Sequence, residues 1–309
     1  MTSPAPVVLV FLDPTYPDGR PADASQPQLM VTDQGATRGD GIFETMLAVR
    51  GAVRKIQAHL DRLGGSAEAL DLNIPGQDEW RRAIAAAIAE HYAQYPAPTP
   101  GDDELVVKLV VTRGVEGAAS PTAWVQVSAA PATGRRQRET GIDVILLDRG
   151  YDSDVAERAP WLLMGAKTLS YAVNMAALRH ARRQGADDVI FLSSDGRVLE
   201  GPTSTVLLAH VEKSGDGTTL KRLITPQLDS GILPGTSQGA LFTAAKAAGW
   251  ELGYGPLEPQ DLLDADAVWL ISSVRLLAPV NTIDGKQIGT PSLQKELTAE
   301  LTGLYAGIE

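Results

Sequence analysis

The chain has 309 residues, of which 44% are hydrophobic and 21% charged, with a net charge of -11 and no cysteine. That length allows two domains with real cores, and the acidic balance repels phosphate backbones, which argues against a nucleic-acid partner. The lack of cysteine excludes disulfides, thiolate metal sites and a cysteine nucleophile, and fits a reducing cytoplasm.

No apolar run reaches the roughly 18 residues that a membrane span needs. The start, Met1-Thr2-Ser3-Pro4-Ala5-Pro6, lacks the basic n-region of a signal peptide. Residues 7–12 read instead as a first strand. Residues 43–49 and 52–56 read as a hairpin around Arg50-Gly51. Helices are expected over 58–70 and 79–92, the second with an alanine-rich face. The proline-rich run 96–103 breaks the chain, and strands follow at 105–112 and 123–129. The polar, basic run 131–140 is the candidate inter-domain linker.

The second half opens with a strand over 142–147. A helix is expected over 171–184, with Arg182 and Arg183 in its last turn and Gly185 as a stop. Residues 189–193 and 197–200 form a hairpin on Asp195-Gly196. A strand over 203–211, a loop over 213–218 and a helix starting near Ser237 come next. Residues 268–272 read as a buried strand, Asp284-Gly285 as a turn and 292–305 as a closing helix. There is no internal repeat. The fold class is α/β (α+β) in two domains: 1–130, a linker at 131–140, and 141–309.

Lys167 carries the most chemical information. It stands alone as a charge in Trp161-Leu162-Leu163-Met164-Gly165-Ala166-Lys167-Thr168-Leu169-Ser170-Tyr171. Loss of hydration favours a neutral lysine, the form that attacks an aldehyde, so this is a candidate Schiff-base lysine. The bland alternative is a snorkelling lysine at a helix end. Glu200 ends a hairpin arm before Gly201-Pro202. A carboxylate there could keep a pyridine nitrogen protonated, or could simply be a solvated residue before a turn. Leu233-Pro234-Gly235-Thr236-Ser237 precedes a helix whose first amides could meet an anion, or which Ser237 could merely cap. Arg62, in His59-Leu60-Asp61-Arg62-Leu63, could grip a phosphate bidentately or lie on a helix surface.

Five separated motifs occur in one order: Arg38-Gly39-Asp40-Gly41-Ile42-Phe43-Glu44-Thr45, His59-x-x-Arg62-Leu63, Lys167, Glu200-Gly201 and Leu233-Pro234-Gly235. Together they resemble the fold type IV pyridoxal-phosphate enzymes, over about residues 29–280. That family includes branched-chain aminotransferases, D-amino-acid aminotransferases and 4-amino-4-deoxychorismate lyases. The resemblance implies a small N-terminal α/β domain and a larger C-terminal one with a mixed sheet. It implies pyridoxal 5'-phosphate held by Lys167, which also moves protons, with Glu200 on the pyridine nitrogen. It implies phosphate contacts from Arg62, Thr236, Ser237 and Ser273, a small-molecule substrate, and a homodimer.

Within the family, Gly39-Asp40-Gly41 and Lys167-Thr168-Leu169-Ser170 resemble the lyases and the D-amino-acid enzymes more than the branched-chain ones. Thr45 in Phe43-Glu44-Thr45 tips the reading toward a lyase, with Thr45 catalytic and Phe43 at the substrate. After Thr112-Arg113-Gly114 the chain lacks both the Arg-x-His carboxylate trap of the D-amino-acid enzymes and the Gly-Arg-Gly-Tyr stretch of some lyases. A dicarboxylate substrate must then find other cations. Arg38 and Arg275 are the candidates, with a structural salt bridge as the alternative for each. The expected activity is a lyase giving 4-aminobenzoate and pyruvate, in folate precursor synthesis. The alternatives are an aminotransferase of D- or branched-chain amino acids, and a non-catalytic cofactor or anion binder.

Overall fold

A computed structural model describes residues 6–95, 103–213, 215, 217 and 219–308. Most of the N-terminal segment and most of the expected breaker, residues 1–5 and 96–102, lie outside them, as do 214, 216 and 218 of the expected loop. The chain divides into two compact units: Met1–Pro131 with Ala166–Tyr171, and Ala132–Gly165 with Ala172–Glu309.

The first unit contains β1 (Val7–Phe11), β2 (Arg20–Ala22), α1 (Gln34–Arg38), β3 (Gly41–Val49), β4 (Ala52–Val53), α2 (Ile56–Ala69), α3 (Gln77–Gln94), β5 (Glu104–Thr112) and β6 (Thr122–Ala129). Among the described residues its strands form one antiparallel sheet in the order β2-β1-β6-β5-β3-β4. Period-two alternation sets the two faces. Ile42, Glu44 and Met46 of β3, with Val107, Leu109, Val125 and Val127, are buried. The intervening Phe43, Thr45, Lys108 and Gln126 are only half-buried, and Thr45, Lys108 and Gln126 are aligned across three strands. Helix α2 buries His59, Leu60, Leu63, Ser66 and Ala67. Helix α3 buries Trp80, Ala83, Ile84, Ala87, Ile88 and His91. These are the stripes of amphipathic helices, and they pack on β1, β3 and β6. The Glu79 carboxylate accepts the Gly76 amide at 2.7 Å and starts α3.

The second unit contains α4 (Ala132–Thr140), β7 (Ile142–Asp148), α5 (Val155–Arg158), α6 (Ala172–Arg183), β8 (Asp188–Leu192), β9 (Thr205–Lys213) and β10 (Thr219–Pro226). It continues with α7 (Thr236–Ala247), β11 (Glu251–Gly255), α8 (Pro259–Leu263), β12 (Ala267–Ser272), β13 (Leu276–Ile283), β14 (Lys286–Gln287) and α9 (Pro291–Ala306). Its mixed sheet runs β11-β10-β9-β12-β13-β7-β8, with β14 on β13. Strands β9 and β12 are apolar on both faces because both faces are covered. Val206, Leu208, Val268 and Leu270 enter one core with Ile142, Ile190 and Val280. Leu207, Ala209, Trp269 and Ile271 enter the other with Leu241, Phe242, Trp250, Leu297 and Tyr305.

Several expectations change. The segment expected as a linker, 131–140, forms helix α4 within the second unit from Ala132 onward. Its polar composition suits a surface helix as well as a loop, and composition alone does not separate them. Residues 166–171, expected in the C-terminal domain, belong to the first unit. The hairpin on Asp195-Gly196 has a strand in only one arm; the other is held by a bridge between Leu192 and Val198. Strands β10, β11 and β13 carry signals too short or too polar to read from the sequence.

Candidate active site

In the first unit the site is built on the start of β3. Gly39 takes a left-handed φ of 69° after α1, and the Asp40 carboxylate grips the Arg113 Nε at 2.6 Å. Gly41 lies so close to the Val111 carbonyl that a Cβ would collide with it. This tight turn delivers β3 to the segment holding Lys167. The Phe43 amide donates to the Lys167 carbonyl at 3.0 Å, and the Leu169 amide donates to the Gly41 carbonyl at 2.8 Å. The Lys167 amide donates to the Ser66 hydroxyl of α2 at 3.1 Å. Lys167 is therefore extended against a strand, and the expected helix begins only at Ala172. This is not the helix-end setting of a snorkelling lysine. Its Nζ lies 4.5 Å from the centroid of Phe43 and 5.8 Å from that of Tyr171. The two rings meet edge to face, 5.3 Å apart.

Behind this face, Glu44 is fully buried. Its carboxylate accepts Arg62 Nε at 2.6 Å and Arg62 Nη2 at 2.9 Å, and meets His59 Nδ1 at 2.7 Å. Burial pushes the Glu44 carboxyl up, but the hydrogen bonds and charges of His59 and Arg62 outweigh it and hold the pKa at about 2. Burial pushes the His59 imidazole down. A bidentate grip of Arg62 was expected on phosphate; the structure gives that grip to Glu44. Sequence reading missed Glu44. The available signal was a carboxylate on the buried parity of an apolar strand.

Lys108 was also missed. Its Nζ lies 5.0 Å from the centroid of Phe43, and Thr45 is its register partner. It has no ion-pair partner among the described residues, and burial pushes its pKa down. A lysine at the less buried parity of β5 was the signal. Arg38 instead pairs with Glu116 at 3.1 Å, with both side chains more than 60% exposed. Such a pair contributes at most about 1 kcal/mol.

In the second unit, the Glu200 carboxylate accepts the Leu233 amide at 3.1 Å. Arg149 lies 4.3 Å from the Phe191 ring centroid and donates to the Tyr151 hydroxyl and to Asn174 Oδ1. Asn174 donates in turn to the Pro202 carbonyl at 2.7 Å. Burial, opposed by Arg149 and helped by the Glu200 charge, pushes the Tyr151 phenol up. Helix α7 starts at Thr236 after Gly235, which makes no side-chain cap, so Ser237 is not the N-cap. The Thr236 and Ser237 hydroxyls each lie 3.2 Å from the Ser273 hydroxyl. Arg275 is tied to buried Asp188 at 2.6 Å and to Ser204 Oγ at 3.2 Å. This is the salt-bridge alternative for Arg275.

The first unit holds a primary amine among aromatic rings, and the second holds a carboxylate and three hydroxyls near a helix start. These are the residue types that pyridoxal-phosphate chemistry uses. The model of the amino-transferase class IV family matches residues 41–283, so the chain belongs to that family, whose cofactor is pyridoxal phosphate. The chain is 45% identical over 284 residues to the bifunctional aminodeoxychorismate lyase / D-amino acid transaminase of Mycobacterium tuberculosis, covering 92% of this chain and 95% of that one. It is similar to a fold IV transaminase from Curtobacterium pusillum, with 42% identity, a TM-score of 0.86 and coverage of 97% and 99%. It is also similar to the PLP-bound form of a hypothetical aminotransferase from Mycobacterium tuberculosis, with 42% identity, a TM-score of 0.85 and coverage of 97% and 98%. No helix among the described residues is long and apolar enough to cross a membrane.

Proposed function

We propose that this chain is a 4-amino-4-deoxychorismate lyase that also transaminates D-amino acids. The observation that carries the reading is the face shared by Lys167, Phe43, Thr45 and Lys108. It sets a proton-moving amine near a hydroxyl and a second cation, as a dicarboxylate substrate requires. Lys108 takes the place of Arg38 and Arg275 as the proposed carboxylate cation, because Arg275 is committed to buried Asp188 and Arg38 lies on the exposed surface.

Lys167 would anchor the cofactor, and Thr236, Ser237 and Ser273 would bind its phosphate together with Arg62, whose guanidinium Glu44 already holds in place. When bound, the cofactor supplies a ring that delocalises the charge left after proton removal. Glu200, oriented by the Leu233 amide, would keep the pyridine nitrogen protonated. Lys167 Nζ removes the proton from the amine-bearing carbon of the substrate. The ether bond to the enolpyruvyl group then breaks, and a proton delivered to its terminal carbon gives pyruvate, leaving 4-aminobenzoate. Thr45 is assigned to the departing group, which its hydroxyl can serve as donor or acceptor. For transamination, Lys167 would carry the same proton onward rather than leave it for loss of the enolpyruvyl group. The bifunctional description of the 45% identical relative favours this second activity. A homodimer in the cytoplasm is the proposed working form.

The test is 4-aminobenzoate formation from freshly generated 4-amino-4-deoxychorismate, with Lys167→Ala as the blank. Product that depends on Lys167 supports the lyase. Its absence, from protein that turns over D-amino acids, leaves the aminotransferase alone.

A further inference from the structure

The hydroxyl cluster at the start of α7 does not end with the three residues read from the sequence. Tyr305, in the last turn of α9 and 3% exposed, donates its phenolic proton to the Ser237 hydroxyl at 3.0 Å. Ser237 is itself 2% exposed, and its oxygen lies 3.2 Å from Ser273, which lies 3.2 Å from Thr236. A continuous chain of four hydroxyls therefore runs from the C-terminal helix to the first turn of α7. Both helices pack on the same core, which contains Tyr305, Leu241 and Trp269.

Direction matters in such a chain. A serine hydroxyl has one proton and rotates to suit its surroundings. A phenol that donates to Ser237 Oγ occupies one acceptor position and turns the serine proton away from Tyr305. It also polarises the Ser237 O–H, so that this group becomes a better donor to an anion. We propose that Tyr305 is a positioning residue for the cofactor phosphate, acting through Ser237 without touching the cofactor. The inference rests on the assignment of Thr236, Ser237 and Ser273 to that phosphate. It makes the C-terminal helix part of cofactor retention.

The experiment compares pyridoxal phosphate with pyridoxal, which lacks the phosphate, on the full-length apoprotein. Binding is read from the visible absorbance of the lysine-bound cofactor. For Tyr305→Phe, the expected result is about tenfold weaker pyridoxal phosphate binding with pyridoxal binding unchanged. In a Ser237→Ala background, Tyr305→Phe adds no further loss. Equal loss for both ligands, or no loss for either, overturns the proposal, as does an undiminished effect in the Ser237→Ala background. Wild-type protein that develops no absorbance with either ligand overturns instead the cofactor assignment on which the proposal stands. If Tyr305→Phe does not fold, Ser237→Ala alone decides: an unchanged preference for pyridoxal phosphate over pyridoxal removes the role of the chain.

Discussion

The amines of Lys108 and Lys167 share one ring: they lie 5.0 and 4.5 Å from the centroid of Phe43. The two lysines come from a strand and from a segment 59 residues away in sequence, and only strand pairing brings them together. One is assigned to proton transfer and the other to charge recognition, and the two roles separate kinetically.

Replacing Lys108 by methionine keeps the apolar stem and removes the charge. A lost charge-assisted hydrogen bond weakens recognition by about 10- to 100-fold. The expected change is a raised KM for 4-amino-4-deoxychorismate with little change in kcat, and Lys108→Arg restores most of it. An unaltered KM would remove Lys108 from the substrate site.

Lys167→Ala removes the amine assigned to both cofactor anchoring and proton transfer. Both activities are expected to fall by at least about a thousandfold. The visible absorbance of the bound cofactor is lost with them. Near-normal turnover contradicts the assignment.

Glu200→Gln keeps an oxygen for the Leu233 amide and removes the negative charge. Cofactor binding is expected to persist while substrate proton removal slows by about a hundredfold. The primary isotope effect on the α-proton of a D-amino acid measures that step. An unchanged rate argues against a charged carboxylate on the pyridine nitrogen.

Glu44 makes stability depend on pH. Its folded pKa of about 2 lies below the ordinary 4.5, so its contribution is complete above pH 4.5 and is lost as pH falls toward 2. The shift corresponds to roughly 3 kcal/mol. Urea unfolding of Glu44→Gln is expected to show the largest loss at pH 7, narrowing below pH 4.5. A gap that stays constant with pH means that the carboxylate charge is not what stabilises this cluster.

Arg275 and Asp188 form a pair with side chains only 12% and 2% exposed. Removing one partner strands the other charge, so Arg275→Met is expected to cost about 3–5 kcal/mol. The double change with Asp188→Leu is expected to cost less than the sum. Additive losses in denaturant unfolding exclude the coupling.

Much of the fold follows from local pattern. The stripes of α2 and α3 and the alternation of β3, β5 and β6 are written in apolar spacing, and they stand within a few residues of where that spacing places them. Helix α4 was not legible, because Ala132–Thr140 buries no residue and so carries no apolar stripe. Strand β13 was hidden because it contains Pro279, and β11 because it has two glycines in five residues.

The sequence by itself determined the family, through Lys167, Glu200 and the glycine-bearing turns, because chemistry of this kind needs particular residue types in a particular order. Only the tertiary structure decided which partner each polar side chain holds. Arg62 is held by Glu44, Arg275 by Asp188, and Ser237 by Tyr305, whereas Lys108 has no ion-pair partner among the described residues and lies beside Phe43. Partners 18 to 87 residues apart are set by sheet register and helix packing. A side chain's type does not say which opposite charge the fold will bring to it.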